Sequence, residues 1–150
     1  MNVYSMLTDA IRRRKGEVAI SYGKRQLTYA EFDGTCAALA EWLGRQGCVR
    51  GDRVLLFLKN GFEFPVLLMA IMRAGLVVVP TNAKLHPREV AWIAGDAGPK
   101  LIFTQGEHVD ALDAALEGNE KPRIIAIEDF ALPQPLSHAP AAAKVDPDDP

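Results

Sequence analysis

Asp52 to Asn82 reads DRVLLFLKNGFEFPVLLMAIMRAGLVVVPTN, and this stretch decides the fold. Arg53 to Leu58 is a short, nearly continuous apolar run, Val66 to Met72 is apolar on every side, and Leu76 to Val79 is apolar again before Pro80 ends it. Two short buried runs flanking a longer one predict strand, crossover helix and parallel strand, a unit of about 30 residues. Strands covered by helices on both faces lose the polar-out alternation and read as solid Val/Leu runs, as these do. The crossover is expected to be right-handed.

On the N-terminal side, Ser5 to Lys15 predicts an amphipathic helix with Met6, Leu7, Ala10 and Ile11 on one side. It closes on Arg12, Arg13, Arg14, Lys15 and Gly16, where cations complement the helix dipole and Gly stops the helix. Val18 to Tyr22 and Arg25 to Thr28 predict a hairpin around Gly23-Lys24. Thr28 followed by Glu31 is a capping-box signature, and Phe32, Cys36, Leu39 and Leu43 form one core stripe behind it. Gly47 marks the end of that helix. Asn60 and Glu63 suggest a second capping box, but Pro65 predicts a helix that starts late, near Phe64, or kinks.

On the C-terminal side, Asn82 to His86 reads as a loop and Pro87 as a first helical residue, with Val90, Ile93 and Ala97 facing the core and Gly98-Pro99 as the stop. Leu101 to Thr104 predicts a third buried strand. Val109, Leu112 and Leu116 mark a helix ending at Gly118, and Arg123 to Ile127 predicts a fourth strand. The expected fold is therefore α/β: a parallel sheet of about four strands flanked by helices on both faces, plus an N-terminal β-hairpin. Residues 1–130 form this domain, and the Pro/Ala-rich residues 131–150 read as a linker or disordered tail.

Composition agrees. A chain of 150 residues suits one domain, and roughly two-thirds of the unfolded surface is buried at that size. With 49% hydrophobic and 24% charged residues, it is a soluble globular composition. A net charge of -2 implies no field for nucleic acid or membrane lipid. No apolar run approaches the roughly 18 residues that span a bilayer, and no secretory apolar segment opens the chain. Cys36 and Cys48 have neither metal nor CxxC spacing, so a reduced, cytoplasmic protein is expected.

The chemical inventory is sparse. Neither common glycine-rich phosphate loop is present, nor a nucleophile elbow. His86, His108 and His138 are far apart and read as solvated surface residues. Asp146, Asp148 and Asp149 alternate with prolines and suggest an extended acidic linker. Lys84 and His86 lie beyond a strand's C-terminal end, where open α/β sheets tend to bind ligands, but nothing in the spacing makes them site residues. The residues thus give no catalytic, cofactor-binding or metal site.

Two stretches carry a resemblance. Leu27-Thr28-Tyr29-Ala30-Glu31-Phe32 is similar to the first core motif of the adenylate-forming, or AMP-binding, superfamily. Arg73-Ala74-Gly75-Leu76-Val77-Val78-Val79-Pro80-Thr81-Asn82 resembles its second. Gly51-Asp52-Arg53-Val54, Asn60-Gly61-Phe62-Glu63-Phe64, Pro87-Arg88-Glu89-Val90 and Leu101-Ile102-Phe103 also look like that family. Together they span about residues 5 to 130. The resemblance implies an enzyme that joins a carboxylate to ATP, releases pyrophosphate and passes the acyl group to a thiol. The aliphatic second motif looks more like the acyl-CoA synthetases, of fatty-acid–CoA ligase type, than the peptide adenylation domains.

The family's later motifs are absent: the Ser/Thr/Gly-rich phosphate loop, the adenine and ribose pocket, and the C-terminal lysine. The phosphate loop typically follows a segment like Lys144-Val145-Asp146-Pro147-Asp148-Asp149-Pro150. The chain accordingly reads as the N-terminal portion of such an enzyme, inactive alone. Its expected partners are the remainder of the same enzyme and, in the whole protein, a fatty or other carboxylic acid, ATP, Mg and CoA. By itself it would bind no cofactor and self-associate through an exposed interface. The competing expectation is a free-standing α/β module that binds a partner and has no adenylating activity.

Overall fold

A computed structural model describes residues 3–118 and 120–145. The chain divides into two compact bodies, one of Met1–Gly51, Gly61–Leu76 and Leu132–Pro150, the other of Asp52–Asn60 and Val77–Ala131. The expected acidic linker at Asp146, Asp148 and Asp149 lies outside the described residues.

The second body is built on the sheet. Its strands are β3 (Arg53–Phe57), β4 (Val77–Pro80), β5 (Leu101–Thr104) and β6 (Arg123–Ala126), all parallel, in the order β4-β3-β5-β6. The four strands are those expected, with one-residue shifts: β3 stops at Phe57, β4 runs from Val77 to Pro80, and β6 stops at Ala126. Pro80 is the last residue of its strand and pairs with Leu56. A proline lacks a ladder donor, so it is tolerated there because β4 is an edge strand.

Helices α4 (Pro87–Ala97) and α5 (Val109–Ala115) belong to this body. Leu55, Phe57 and Ile102 pack with Val90, Ala91, Ala94, Leu112 and Leu116 in one apolar cluster. Residues two apart share a face of a strand, so Val54, Leu56, Leu101 and Phe103 belong to the opposite face, and they are buried as well. Burial on both faces is why these strands read as unbroken apolar runs. Pro87 is the first residue of α4, and Gly98 closes that helix in the left-handed region at φ 58°.

The first body holds the hairpin of β1 (Val18–Tyr22) and β2 (Arg25–Thr28) and the helices α1 (Thr8–Arg13), α2 (Tyr29–Arg45) and α3 (Glu63–Arg73). At the hairpin turn, Gly23 has φ 60° and Lys24 does not have positive φ, the pattern of a turn that needs Gly only at its first central position. The expected helix at Ser5–Lys15 is shorter. Val3–Leu7 is a 3-10 turn, Met6 is exposed, and the buried anchor is Tyr4.

Thr28 and Glu31 form the predicted capping box. Thr28 Oγ1 accepts from Glu31 N at 3.2 Å, and Glu31 Oε2 accepts from Thr28 N at 2.8 Å. Phe32, Cys36, Leu39 and Leu43 are buried as expected, and α2 packs along α3. The second capping box does not form. The residue before α3 is Phe62, with no side-chain cap. Glu63 instead pairs with Arg25, whose guanidinium lies 4.0 Å over the Phe62 ring. The helix starts late, as expected from Pro65, at Glu63 beside Phe64; Pro65 is then the third helical residue, where the missing N–H has no intrahelical acceptor.

Residues 132–145 contain no helix or strand, but they lie against the first body. Leu136 N donates to Gly34 O at 3.1 Å and Ala143 N to Arg73 O at 2.9 Å. Among the described residues, no helix is long and apolar enough to cross a membrane.

Candidate functional site

Four parallel strands bring four loops to one edge of the sheet, beyond Phe57, Pro80, Thr104 and Ala126. Such carboxyl-end loops are where open α/β sheets hold ligands. Polar groups of three of these loops bond to one another. Lys59 N donates to Gln105 Oε1 at 3.3 Å, Lys59 Nζ to Glu107 Oε1 at 2.6 Å, and Gly106 N to Glu128 Oε2 at 2.7 Å. The hydrogen bond from Lys59 and then its charge, with a smaller effect of His108, hold the Glu107 carboxyl below its usual range. The His108 ring stacks on Phe57 with centroids 4.9 Å apart. It is therefore half-buried packing and not the solvated surface histidine expected.

In the loop after β4, Thr81 donates from N and Oγ1 to Leu56 O at 2.9 and 3.2 Å. Asn82 Oδ1 accepts from Lys84 N at 2.9 Å, a local turn that fixes the loop. His86 is exposed but has a definite task. Its Nδ1 accepts from Arg88 N at 3.2 Å, while Glu89 Oε2 accepts from His86 N at 2.8 Å, so it caps α4. Lys84 and His86 are thus turn and cap residues, and the Glu89 carboxylate beside His86 is the other half of the cap. His138 is exposed.

This edge can hold polar contacts but has no nucleophile–base pair. Among the described residues, no group of three His, Cys, Asp or Glu is placed to hold a metal. Cys36 and Cys48 are buried and form no disulfide. Burial pushes the Cys36 thiol from 9.0 to about 12, so it is neither nucleophile nor ligand at neutral pH. The basic cluster after α1 is accounted for locally: Arg12 pairs with Asp9 at 2.9 Å and Arg14 with Glu17 at 2.7 Å. At the opposite edge of the sheet, Arg88, Trp92, Asp96, Lys100 and Lys121 line an open cavity of about 1150 Å³. It carries charges of both signs and an exposed Trp92.

The first body holds a polar cluster that no local pattern announces. Tyr4 Oη donates to Asp33 Oδ1 at 2.6 Å, and Arg73 Nη1 donates to the same oxygen at 2.6 Å. The Arg73 guanidinium lies 4.8 Å over the Tyr4 ring, and its Nη2 donates to Pro140 O. Burial is the main reason the Tyr4 hydroxyl is raised far above its usual range. The signal in the sequence is a charged residue, Arg73, closing a helix that is apolar from Phe64 to Met72.

A family model described as AMP-binding enzyme matches residues 7–150. The chain is 29% identical over 136 residues to the 4-hydroxybenzoate--CoA/benzoate--CoA ligase of Rhodopseudomonas palustris, covering 87% of this chain and 25% of that protein. It is 27% identical over 146 residues to the nonribosomal peptide synthetase ecdA of Aspergillus rugulosus, covering 97% of this chain and 2% of that one. The solved fatty acyl CoA synthetase of Mycobacterium tuberculosis superposes with a TM-score of 0.83 and 25% identity over 99% of this chain and 31% of its own. The chain thus spans a quarter or less of the first curated relatives it matches.

Proposed function

The chain belongs to the AMP-binding enzyme family, and from that premise we propose that it is the N-terminal portion of an AMP-forming acid–thiol ligase. The whole enzyme would convert a carboxylic acid, ATP and CoA into acyl-CoA, AMP and pyrophosphate. One observation carries this reading: both core-motif stretches, Leu27–Phe32 and Arg73–Asn82, lie within the family match over residues 7–150.

Structural work accounts for both stretches. The first is a strand end and the capped start of α2. The second carries the end of α3, the left-handed turn at Gly75 with φ 75°, and edge strand β4. In this reading both stretches are scaffold, and activity belongs to the enzyme of which this chain is a part. A CoA ligase is favoured over a peptide-forming synthetase because the aliphatic second motif, with Asn82 following, looks more like the acyl-CoA synthetases.

The test is acid-dependent pyrophosphate release by the enzyme expressed from the reading frame continued past codon 150. The panel contains fatty acids and benzoates, with and without CoA. Release with a fatty acid and formation of its CoA ester supports the acyl class expected from the second motif. Release with benzoates alone moves the acid to the aromatic class. No release with any acid overturns the ligase reading. The 150-residue chain alone is expected to show no ATP binding by calorimetry and to elute above its 16.4 kDa monomer mass. A monodisperse monomer that binds ATP would favour an independent binding module.

A further inference from the structure

The outward face of α4 works against its own helix. Inward, Pro87, Val90, Ala91 and Ala94 are buried. Outward, Arg88, Glu89, Trp92, Gly95 and Asp96 are exposed. Glu89 has a local task, since its carboxylate accepts from His86 N at 2.8 Å. Arg88 stands in the first turn and Asp96 in the last, each of the wrong sign for the charge that the helix dipole leaves there. Among the described residues, neither side chain has an ion pair. Gly95 lies inside the helix, where only proline is less favourable than glycine. A Cβ there would meet nothing within 4 Å, so packing within the chain does not call for its absence. Trp92 is 77% exposed, more than any other large apolar side chain among the described residues.

Arg88, Trp92 and Asp96 are spaced by four, so they form one ridge along the helix. At 1.5 Å per residue, the cation and the carboxylate lie about 6 Å to either side of Trp92 along the axis. A two-fold axis at Trp92 that runs two such helices antiparallel brings each Arg88 opposite the other copy's Asp96. It sets the two rings side by side and leaves a bare Gly95 where the other helix approaches. The open cavity of about 1150 Å³ that Trp92 lines with Ala94, Ala115 and Leu116 gives the opposing ring its space. An isologous contact requires this kind of self-complementarity. Residues that cost their own helix and gain nothing within the chain are expected where function asks for them.

We propose that this face is a homodimer interface: two copies of the chain pair antiparallel through α4, with Trp92 at the two-fold axis and reciprocal Arg88–Asp96 ion pairs on either side. A central Trp flanked by opposite charges is the make-up of an interface hot spot. The contact is one helix and its flank, so the dimer is weak and concentration-dependent. Nothing in this pairing depends on the ligase reading.

Sedimentation equilibrium of the 150-residue chain from about 1 µM to 1 mM reads the dissociation constant, and thermal melting in dilute solution reads the fold. Trp92→Ala is expected to weaken dimerisation about tenfold or more. Arg88→Asp and Asp96→Arg each set like charges across the axis and are expected to weaken it about tenfold. The double variant Arg88→Asp/Asp96→Arg restores opposite charges and is expected to return to within about threefold of the wild type. All three charge variants suit the dipole of α4 better, so their melting points are expected to hold or rise. Gly95→Ala is expected to raise the melting point and yet weaken dimerisation, opposite signs that a purely structural role does not give.

Recovery in the double variant, with melting points at or above that of the wild type, establishes the α4 pairing. A monomer at every concentration overturns it. A dissociation constant unchanged by Trp92→Ala assigns association to another face and overturns it too. Loss in both single charge variants without recovery in the double overturns the antiparallel register. If the whole enzyme is a monomer where the 150-residue chain dimerises, the remainder of the enzyme covers α4 and the homodimer is overturned.

Discussion

The two bodies solve the same problem in different ways. In the sheet body, the buried backbone groups of β3 and β5 pair in ladders with neighbours on both sides, so the space around them is filled with Leu, Ile, Val and Phe. In the helical body, a segment without regular structure is packed against α2 and α3, and its carbonyls and amides need partners that no ladder supplies. Buried backbone groups are nearly always paired. Here a buried charge does that work, Arg73 held by Asp33 and Tyr4. Where an irregular segment has to be held, the core includes an ion pair; where strands pair with strands, apolar side chains suffice.

The sharpest way to break this contrast is at Phe57, fully buried in the sheet-body cluster. Phe57→Ala should cost about 3–5 kcal/mol, a large part of a domain's stability, read as a shift of the urea midpoint. A loss under 1 kcal/mol would mean that the sheet body does not depend on apolar packing.

A second test uses pH. Cys36 in the helical body ionises near 9 when exposed and at about 12 in the fold. Its contribution is fully present below pH 9 and is lost as pH rises toward 12, because the unfolded chain releases the proton first. Between pH 9 and 10.5 the wild type should lose about 2 kcal/mol that Cys36→Ala does not lose. Parallel curves for the two proteins would show that the thiol is not buried in solution.

Smaller effects sharpen the comparison. Thr28→Ala removes the cap of α2 and should cost about 1 kcal/mol in thermal unfolding. The smallest is Thr104→Val. Among the described residues, Thr104 Oγ1 is the one buried side-chain oxygen or nitrogen with no hydrogen-bond partner. Replacing that hydroxyl by a methyl should be neutral or stabilise by up to about 1 kcal/mol. A loss of 2 kcal/mol or more would show that the sheet body also relies on a buried polar contact.

Much of the fold was legible because its signals are local. Thr28 with Glu31, Pro87 at a helix start, Gly98 at a helix end and the solid run from Val54 to Leu58 each declare themselves within a few residues. Errors arose where a local signal had a long-range competitor. Glu63 suits a capping box, but Arg25, 38 residues away, takes its carboxylate. His108 looks like a surface histidine until Phe57 is placed beneath it.

The α/β class, the hairpin, the four strands, most helix ends and the family are readable in the order of the residues. These follow from periods of two and 3.6, from backbone geometry at Gly and Pro, and from two motifs. Packing in three dimensions sets the strand order β4-β3-β5-β6, the bonding between the loops after β3, β5 and β6, and the Tyr4–Asp33–Arg73 cluster. Tyr4 meets Asp33 across 29 positions, Asp33 meets Arg73 across 40, and Arg73 meets Pro140 across 67. No periodicity links residues that far apart. A buried charge finds its partners only when packing removes water and leaves it no other acceptors.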